Sequence, residues 1–306
     1  MHTAFLGLGA IGTPMARHLA AKFPGTRVWN RTASTAAAFV AAHTAAHTAA
    51  HTAAHTAAHT VLHAATPAEA ARGADVVITC FPVSRDVEAL LDGPDGLLAG
   101  LATGSTLVDC TSGDPATSKR MAARLAERGI GFLDAPVSGG VAGAEAAALT
   151  VMIGGDAATL ERVRPALESF GKRLVHCGPV GAGDAVKAVN NALLAQHIIG
   201  TAEGLLALER AGVDPALALD VINNSSGRSN ASMNLFPERV LTKAYPRTFR
   251  LALLDKDVGI ALQVAREAGI AAPMLELASA RYRDAHAAMG EEADHVEIVK
   301  WLQQRT

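Results

Sequence analysis

The 306-residue chain is short of several features that would place it in other classes. Cysteine occurs three times, at Cys80, Cys110 and Cys177, scattered and without CxxC spacing. That excludes a disulfide framework and a cysteine zinc site, and it fits a reduced compartment. Neither sign of charge dominates: 27 Lys and Arg stand against 29 Asp and Glu, a net of −2, with no long basic run. Nucleic acid and anionic membrane are therefore not expected as partners. No apolar run is long enough for a membrane span, because the longest helical stretch is broken by Asn190, Asn191, Gln196, His197 and Glu203. A strand expected within a few residues of Met1 leaves no room for a signal peptide. These absences lead to the expectation of a soluble cytoplasmic protein. Half of the residues are apolar and 18% are charged, enough for the core of one large or two ordinary domains.

The amino-terminal half alternates short apolar strands with helical stretches. Thr3–Leu6 reads as a strand, and Gly7-Leu8-Gly9-Ala10-Ile11-Gly12 follows at once, opening into a helix. A GxGxxG between strand and helix is a dinucleotide-binding signature. Gly7 permits the turn, Gly9 the approach of a pyrophosphate, and Gly12 close packing of helix on strand. Backbone N–H groups at Ala10, Ile11 and Gly12 then face the anion. The next strand, Arg27–Asn30, ends where an acidic reader of the ribose 2′-hydroxyl is expected. The chain has Asn30-Arg31-Thr32 there. An arginine fork suits a 2′-phosphate, so NADP(H) is expected over NAD(H). Further strands are read at 75–80, 105–109 and 130–134. Ligands lie outside the carboxyl ends of such strands, so Pro82, Val83, Thr111 and Ser112 are cofactor-side candidates as well as ordinary loop residues.

From Ala41 to Thr60 the tetrapeptide AAHT is repeated five times without a mismatch, which sets His43, His47, His51, His55 and His59 four apart, with His63 following in step. Alanine-rich sequence extends the helix after the second strand. A solvent-exposed spacer is the reading taken, since metal ligands need a supporting shell that AAHT does not supply. No metal site is expected.

Two further stretches carry chemistry. After the strand ending at Asp134 comes Ala135-Pro136-Val137-Ser138-Gly139-Gly140, where a hydroxyl and two backbone N–H groups can seat a small carboxylate. Gly178, Gly181 and Gly183 then open a proline-free run to Arg210, expected as a helix about 40 Å long. It is apolar nearly all round, which predicts burial. Lys187 and Asn191 are set into it on one face. Beyond Gly212 the chain reads as helix after helix: 215–223, a stretch through Arg239 and Leu241, 251–268, 274–289 and 295–302. Ser225–Asn230 reads as a loop, and Phe249 as a pocket candidate if the helix of Lys256 begins that early.

GLGAIGTPMARHL at 7–19, DAPVSGGVAGAEAAALTVMIGG at 134–155, GPVGAGDAVKAVNN at 178–191 and LLDKDVGIAL at 253–262 occur in that order. Together they resemble the β-hydroxyacid dehydrogenase family over almost the whole chain except Ala41–Thr60. The resemblance implies an α/β fold: a Rossmann-type doubly wound sheet at 1–178, joined by a long interdomain helix to an all-α substrate and oligomerisation domain at 179–306. It implies that Gly7, Gly9 and Gly12 hold the cofactor pyrophosphate, and that Arg31 and Thr32 suit the phosphorylated cofactor. By the same likeness Ser138, Gly139 and Gly140 hold the substrate carboxylate. Lys187 matches the catalytic lysine, Asn191 the substrate-orienting asparagine, and Lys256 a cleft lysine near cofactor and substrate. Ile11 in place of a methionine, Ala146-Ala147-Ala148 in place of a glycine, and Thr111-Ser112 in swapped order are the departures. The implied activity is hydride transfer between NADP(H) and the β-carbon of a small hydroxyacid or semialdehyde, with a homodimer or homotetramer as the assembly. An imine reductase is the first rival, and a lysine at position 187 argues against it. The second is a non-catalytic NADPH-binding scaffold, and the joint presence of Ser138, Lys187 and Asn191 argues against that.

Overall fold

The structure, a computed structural model, describes residues 1–50 and 60–305, with side chains described outside 46–50. The chain divides into two compact units, Met1–Lys187 and Ala188–Thr306. The repeat histidines from His47 to His59 lie outside the described side chains.

The first unit is built on one sheet. Its strands are β1 Thr3–Leu6, β2 Arg27–Trp29, β3 Leu62–His63, β4 Val76–Thr79, β5 Thr106–Asp109, β6 Gly131–Asp134, β7 Val137–Ser138, β8 Leu149–Gly155 and β9 Gly171–Gly178. They lie in the order β3-β2-β1-β4-β5-β6-β8-β7, with β9 paired to β8. The strands from β3 through β6 are parallel; β8 runs antiparallel to β6 and β7. Chain direction across the sheet reverses between β1 and β4, the switch point where such sheets bind ligands. β1, β4 and β5 are buried along their whole length, as expected of parallel strands covered on both faces. Alternate residues feed two cores. Phe5, Val28, Ile78 and Val108 join one, with Met15 and Leu19 of α1 (Gly12–Lys22). Ala4, Leu6, Val77 and Leu107 join the other.

The remaining helices of this unit are α2 Ala33–Ala50, α3 Pro67–Ala71, α4 Ser84–Ala89, α5 Leu97–Gly100, α6 Pro115–Ala126, α7 Gly140–Glu145 and α8 Ala157–Leu167. Local sequence explains several starts. Thr66, Asp114 and Asp156 each accept a hydrogen bond from the backbone N–H three residues on, and Pro67 and Pro115 stand in the first turn. Each such cap stabilises its helix by about 1 kcal/mol. His43 is a correction to the exposed-spacer reading. It is buried and stacks on Phe39, one helical turn back, with ring centroids 6.1 Å apart.

The second unit is helical. α9, Ala182–Arg210, begins in the first unit and runs through the second. α10 Pro215–Asn223, a π-helix Ala231–Val240, α11 Leu251–Glu267, α12 Pro273–Met289, a 3₁₀ turn His295–Glu297 and α13 Ile298–Gln303 follow. Ala188, Ala192, Ala195, Ile198, Ala202 and Leu205 recur at three- and four-residue spacing and form the buried stripe of α9. Fully buried Tyr282 of α12 packs in the same core. The expectation that α9 is buried all round is corrected. Val186, Val189 and Leu193 are 45%, 39% and 48% exposed, because the core residues occupy one arc of the helix and leave the other open. Phe249 lies before α11 rather than on it, and its ring packs on His295 at 5.4 Å.

Candidate active site

The glycine turn stands at the switch point, between β1 and α1. Gly7 adopts φ +100°, and a Cβ on it would come 2.2 Å from the carbonyl oxygen of Cys80. A Cβ on Gly12 would come 1.9 Å from the carbonyl oxygen of Gly7. Both glycines are required by the turn itself. Gly9 differs: nothing lies within 4 Å of the position its Cβ would take. The open side of the turn is therefore at Gly9, where a phosphate approaches backbone in sites of this kind. α1 carries no acidic residue in its first turn and no side-chain cap at Ile11, so no carboxylate competes with an anion there. Ala10 is exposed beside it. The residues present fit a nicotinamide dinucleotide.

At the end of β2, Asn30 Oδ1 accepts the N–H of Leu8 at 3.0 Å, and its Nδ2 donates to the carbonyl of Thr32 at 3.2 Å. The asparagine thus fastens the glycine turn to the corner holding Arg31 and Thr32, both exposed. Across the sheet Pro82 is exposed, Val83 half-buried and Thr111 buried. The Thr111 hydroxyl accepts the N–H of Phe81 at 3.0 Å, so it secures the loop after β4. Beneath it Asp109 accepts from the Thr79 hydroxyl at 2.8 Å and from the Thr111 N–H at 3.0 Å. Burial pushes the Asp109 carboxyl up, and the bonds from Thr111 and Thr79 pull it back in part. Burial, reinforced by Asp109, pushes the neighbouring Cys80 thiol up to about 12.

Ser138 is half-buried on β7 opposite Thr150. Gly139 and Gly140 follow with φ +137° and +63°. Nothing lies within 4 Å of a Cβ position on Gly140, which leaves its backbone approachable. Lys187, on the second turn of α9, is 9% exposed. Asn191 follows one turn on in the same helix, within the second unit, and is buried.

In the second unit Asn191 Nδ2 donates to Oδ2 of Asp257 at 2.6 Å, and its Oδ1 accepts from Asn190 Nδ2 at 3.1 Å. Asp257 is 2% exposed, and its Oδ1 pairs with Nζ of Lys256 at 2.9 Å. One carboxylate therefore holds both candidate residues of this unit. Asp257 is a site residue that the resemblance does not name, and its place beside Lys256 in the sequence is the signal for it. Two more buried acids, which the sequence marks only as a strand end and a helix start, belong to the same region of the first unit. Asp134 accepts the N–H groups of Gly181 at 2.7 Å and Asp184 at 3.0 Å. Asp184 accepts the Ser118 hydroxyl at 2.6 Å. Burial, followed by the charge of Asp134, pushes the Asp184 carboxyl well above the ordinary range, against the Ser118 bond. Burial likewise raises Asp134 against the backbone N–H groups that it accepts. Among the described residues no group of three or more His, Cys, Asp or Glu side chains is arranged to hold a metal ion. Nor, among the described residues, is any helix long and apolar enough to cross a membrane.

A doubly wound dinucleotide-binding unit followed by a helical unit defines a class, and comparison with known proteins narrows it. Residues 2–178 match the family described as the NAD binding domain of 6-phosphogluconate dehydrogenase. Residues 181–302 match that described as the NAD-binding of NADP-dependent 3-hydroxyisobutyrate dehydrogenase. The 3-hydroxyisobutyrate dehydrogenase of Pseudomonas aeruginosa is 35% identical over 282 residues, covering 90% of this chain and 89% of that one. The NAD-dependent L-serine dehydrogenase of the same organism is 36% identical over 286 residues, covering 92% and 90%. Among solved structures, 3-hydroxyisobutyrate dehydrogenase of Mycobacterium tuberculosis with L-serine superposes with a TM-score of 0.83 at 30% identity, covering 99% of this chain and 100% of that one. The chain belongs to the β-hydroxyacid dehydrogenase family. It is an oxidoreductase that uses a nicotinamide cofactor.

Proposed function

We propose that the protein transfers hydride between NADP(H) and the β-carbon of a small β-hydroxyacid or its semialdehyde. Lys187 exchanges the proton of the β-oxygen, and Asn191 orients that oxygen. Ser138 and the N–H groups at Gly139 and Gly140 seat the carboxylate, with Lys256 as a second cation for substrate and cofactor. The cofactor supplies the redox step, and the protein supplies orientation and charge. The observation that carries this reading is the pairing of Asn191 and Lys256 on one buried carboxylate, with Asn191 four residues after Lys187 in the same helix. A carboxylate on Asn191 Nδ2 orients the side-chain amide and leaves its second N–H for a ligand oxygen.

The preference for the phosphorylated cofactor is supported by the exposed Arg31 and by Asn30 where an acid would repel a 2′-phosphate. Association into a homodimer or homotetramer is supported by apolar side chains that the second unit leaves in water, among them Leu217, Ile270 and Met274, 61–64% exposed. The cytoplasm as the working compartment is supported by three free thiols. A panel of small β-hydroxyacids and semialdehydes, followed by NADPH absorbance, tests the activity. Turnover of at least one member of the panel is expected. Reduction of imines alone would overturn the reading.

A further inference from the structure

The carboxylate of Asp184 lies in the first turn of α9, three residues before Lys187, and is 1% exposed. Two donors from the loop and helix after β5 converge on it. Its Oδ2 accepts the hydroxyl of Ser118, fully buried on α6, at 2.6 Å, and its Oδ1 accepts the N–H of Gly113 at 3.2 Å. Gly113 has no room for a side chain: a Cβ would come 3.2 Å and 3.3 Å from the two Asp184 oxygens and 2.4 Å from Oγ of Ser84. Ser84, at the start of α4, in turn accepts the N–H of Asp114 at 2.9 Å. On its other side the same helical turn is held by Asp134, at the carboxyl end of β6, through the N–H groups of Gly181 and Asp184. A Cβ on Gly183 would come 2.3 Å from the carbonyl oxygen of Met152 and 2.9 Å from Asp134 Oδ2. The first turn of α9 is thus fastened to the segment that follows β5 and to the last residue of β6, at the carboxyl ends of those strands.

This arrangement works against stability. Asp109, Asp134 and Asp184 are three carboxyl groups in one interior, each 1–2% exposed, and burying such groups costs free energy whether they stay charged or take up a proton. What the Asp184 carboxylate contributes is geometric. It accepts from two segments at once, which an aliphatic residue of the same size cannot do.

We infer that Asp184 is a positioning residue, which ties the first turn of α9 to the loop leaving β5 and so fixes Lys187 relative to the cofactor side of the sheet. The inference rests on the proposed role of Lys187. An asparagine can make the same two contacts, its oxygen accepting from Gly113 and its amide donating to a reversed Ser118 hydroxyl. An alanine makes neither.

The test compares Asp184→Ala, Asp184→Asn, Lys187→Ala and the double variant Asp184→Ala/Lys187→Ala, reading turnover, NADPH affinity and Tm on each. Asp184→Ala is expected to lower kcat about tenfold or more, with NADPH affinity within about threefold. Asp184→Asn is expected within about threefold of wild type in kcat, because it keeps both contacts. If Asp184 acts through Lys187, the double variant is no more than about twofold slower than Lys187→Ala. Wild-type kcat in Asp184→Ala overturns the inference, as does Asp184→Asn slowed as much as Asp184→Ala. Additive losses with a slow Lys187→Ala overturn it too, and leave the catalytic reading of Lys187 in place. A Lys187→Ala enzyme at wild-type turnover defeats that reading itself, whatever Asp184 does. Should Asp184→Ala fail to fold, Ser118→Ala removes one of the two bonds and keeps the carboxylate. A kcat reduced about threefold or more supports the inference, and an unchanged kcat overturns it.

Discussion

Asn191 and Asp257 meet across 66 residues of sequence, amide Nδ2 to carboxylate Oδ2 at 2.6 Å, and the other oxygen of the same carboxylate holds Lys256. Replacing Asp257 with alanine frees two candidate residues at once. Hydrogen bonds to charged groups contribute about 1.5–3 kcal/mol, so kcat/KM for the acid substrate should fall about 10- to 100-fold. NADPH binding, read by fluorescence titration, should stay within about threefold, because the pyrophosphate site belongs to the glycine turn. Wild-type kcat/KM in Asp257→Ala would remove the carboxylate from the site.

The three glycines of the turn separate by their surroundings. Gly7 and Gly12 have backbone oxygens where a Cβ would go, whereas Gly9 faces open space. Gly9→Ala should therefore fold with Tm within about 2 °C of wild type, a change of well under 1 kcal/mol. It should weaken NADPH at least about tenfold, since the methyl stands where the pyrophosphate approaches. Gly12→Ala should instead lower Tm outright. Calorimetry and a binding titration on both variants check the pair. A Gly9→Ala protein that binds NADPH normally would place the cofactor elsewhere.

Cofactor choice follows from the corner after β2. With Arg31 exposed and no acid at 30–32, kcat/KM should favour NADPH over NADH by about tenfold or more, the value of one charge-assisted contact. Arg31→Ala should erase most of that ratio by weakening NADPH alone. One close relative is named as NAD-dependent, so the ratio is a property to be measured on this chain. Equal or better efficiency with NADH contradicts the assignment.

Much of this architecture is legible in the sequence because it is local. β1, β2, β4, β5 and β6 are short apolar runs ended by turn residues, and the observed strands fall within one residue of the expected bounds at most ends. α10, α11 and α12 likewise begin and end close to where the expected helices do. Of the strands not expected, β8, LTVMIGG, carries the same apolar signature and was legible, whereas β3, two residues long, β7 and β9 do not. β7 is two residues long, and β9, GKRLVHCG, is polar and partly exposed along its length. A stretch through Arg239 and Leu241 is expected as helix, and the π-helix Ala231–Val240 covers part of it; its hydrogen-bond register, with Leu241 N–H reaching the carbonyl of Phe236, is not written in apolar spacing. The site divides in the same way. Lys187 and Asn191 stand out as polar residues in an apolar helix. Asp134, Asp184 and Asp257 act through partners 47 to 71 residues away, a proximity that only the folded chain supplies.

Asp294 sets an acid limit on the second unit. It is 1% exposed and accepts the N–H groups of Thr248, Phe249 and Val296. Burial alone would push its carboxyl up. The bond and charge of His295, with the N–H groups of Phe249 and Thr248, outweigh that and hold it well below the usual carboxylate range. A carboxyl lowered on folding contributes stability that is fully present above its unfolded pKa of about 3.9, and loses it as pH falls through the folded value. Asp294→Asn should lower Tm by about 3–10 °C at pH 7. The gap should narrow as pH drops below about 4. Calorimetry across that range checks the sign, and a gap that widens in acid would contradict the assignment.

Lys187 offers the sharpest test of the chemistry. It is 9% exposed, on a helix whose first turn is fastened to the sheet by Asp134 and Asp184. A lysine that only lays its stem along apolar surface can be replaced at little cost to turnover. A lysine that exchanges a proton with the β-oxygen cannot, because general acid–base groups contribute about 10²- to 10⁴-fold. Lys187→Ala should lower kcat by that range while NADPH affinity stays within about threefold, since the glycine turn is untouched. Lys187→Arg should not restore turnover, because a guanidinium keeps its charge and gives up no proton near neutral pH. Measuring turnover and NADPH binding on the same preparations separates a lost proton donor from a damaged fold. A folded Lys187→Ala protein that binds NADPH and turns over at the wild-type rate would end the catalytic assignment.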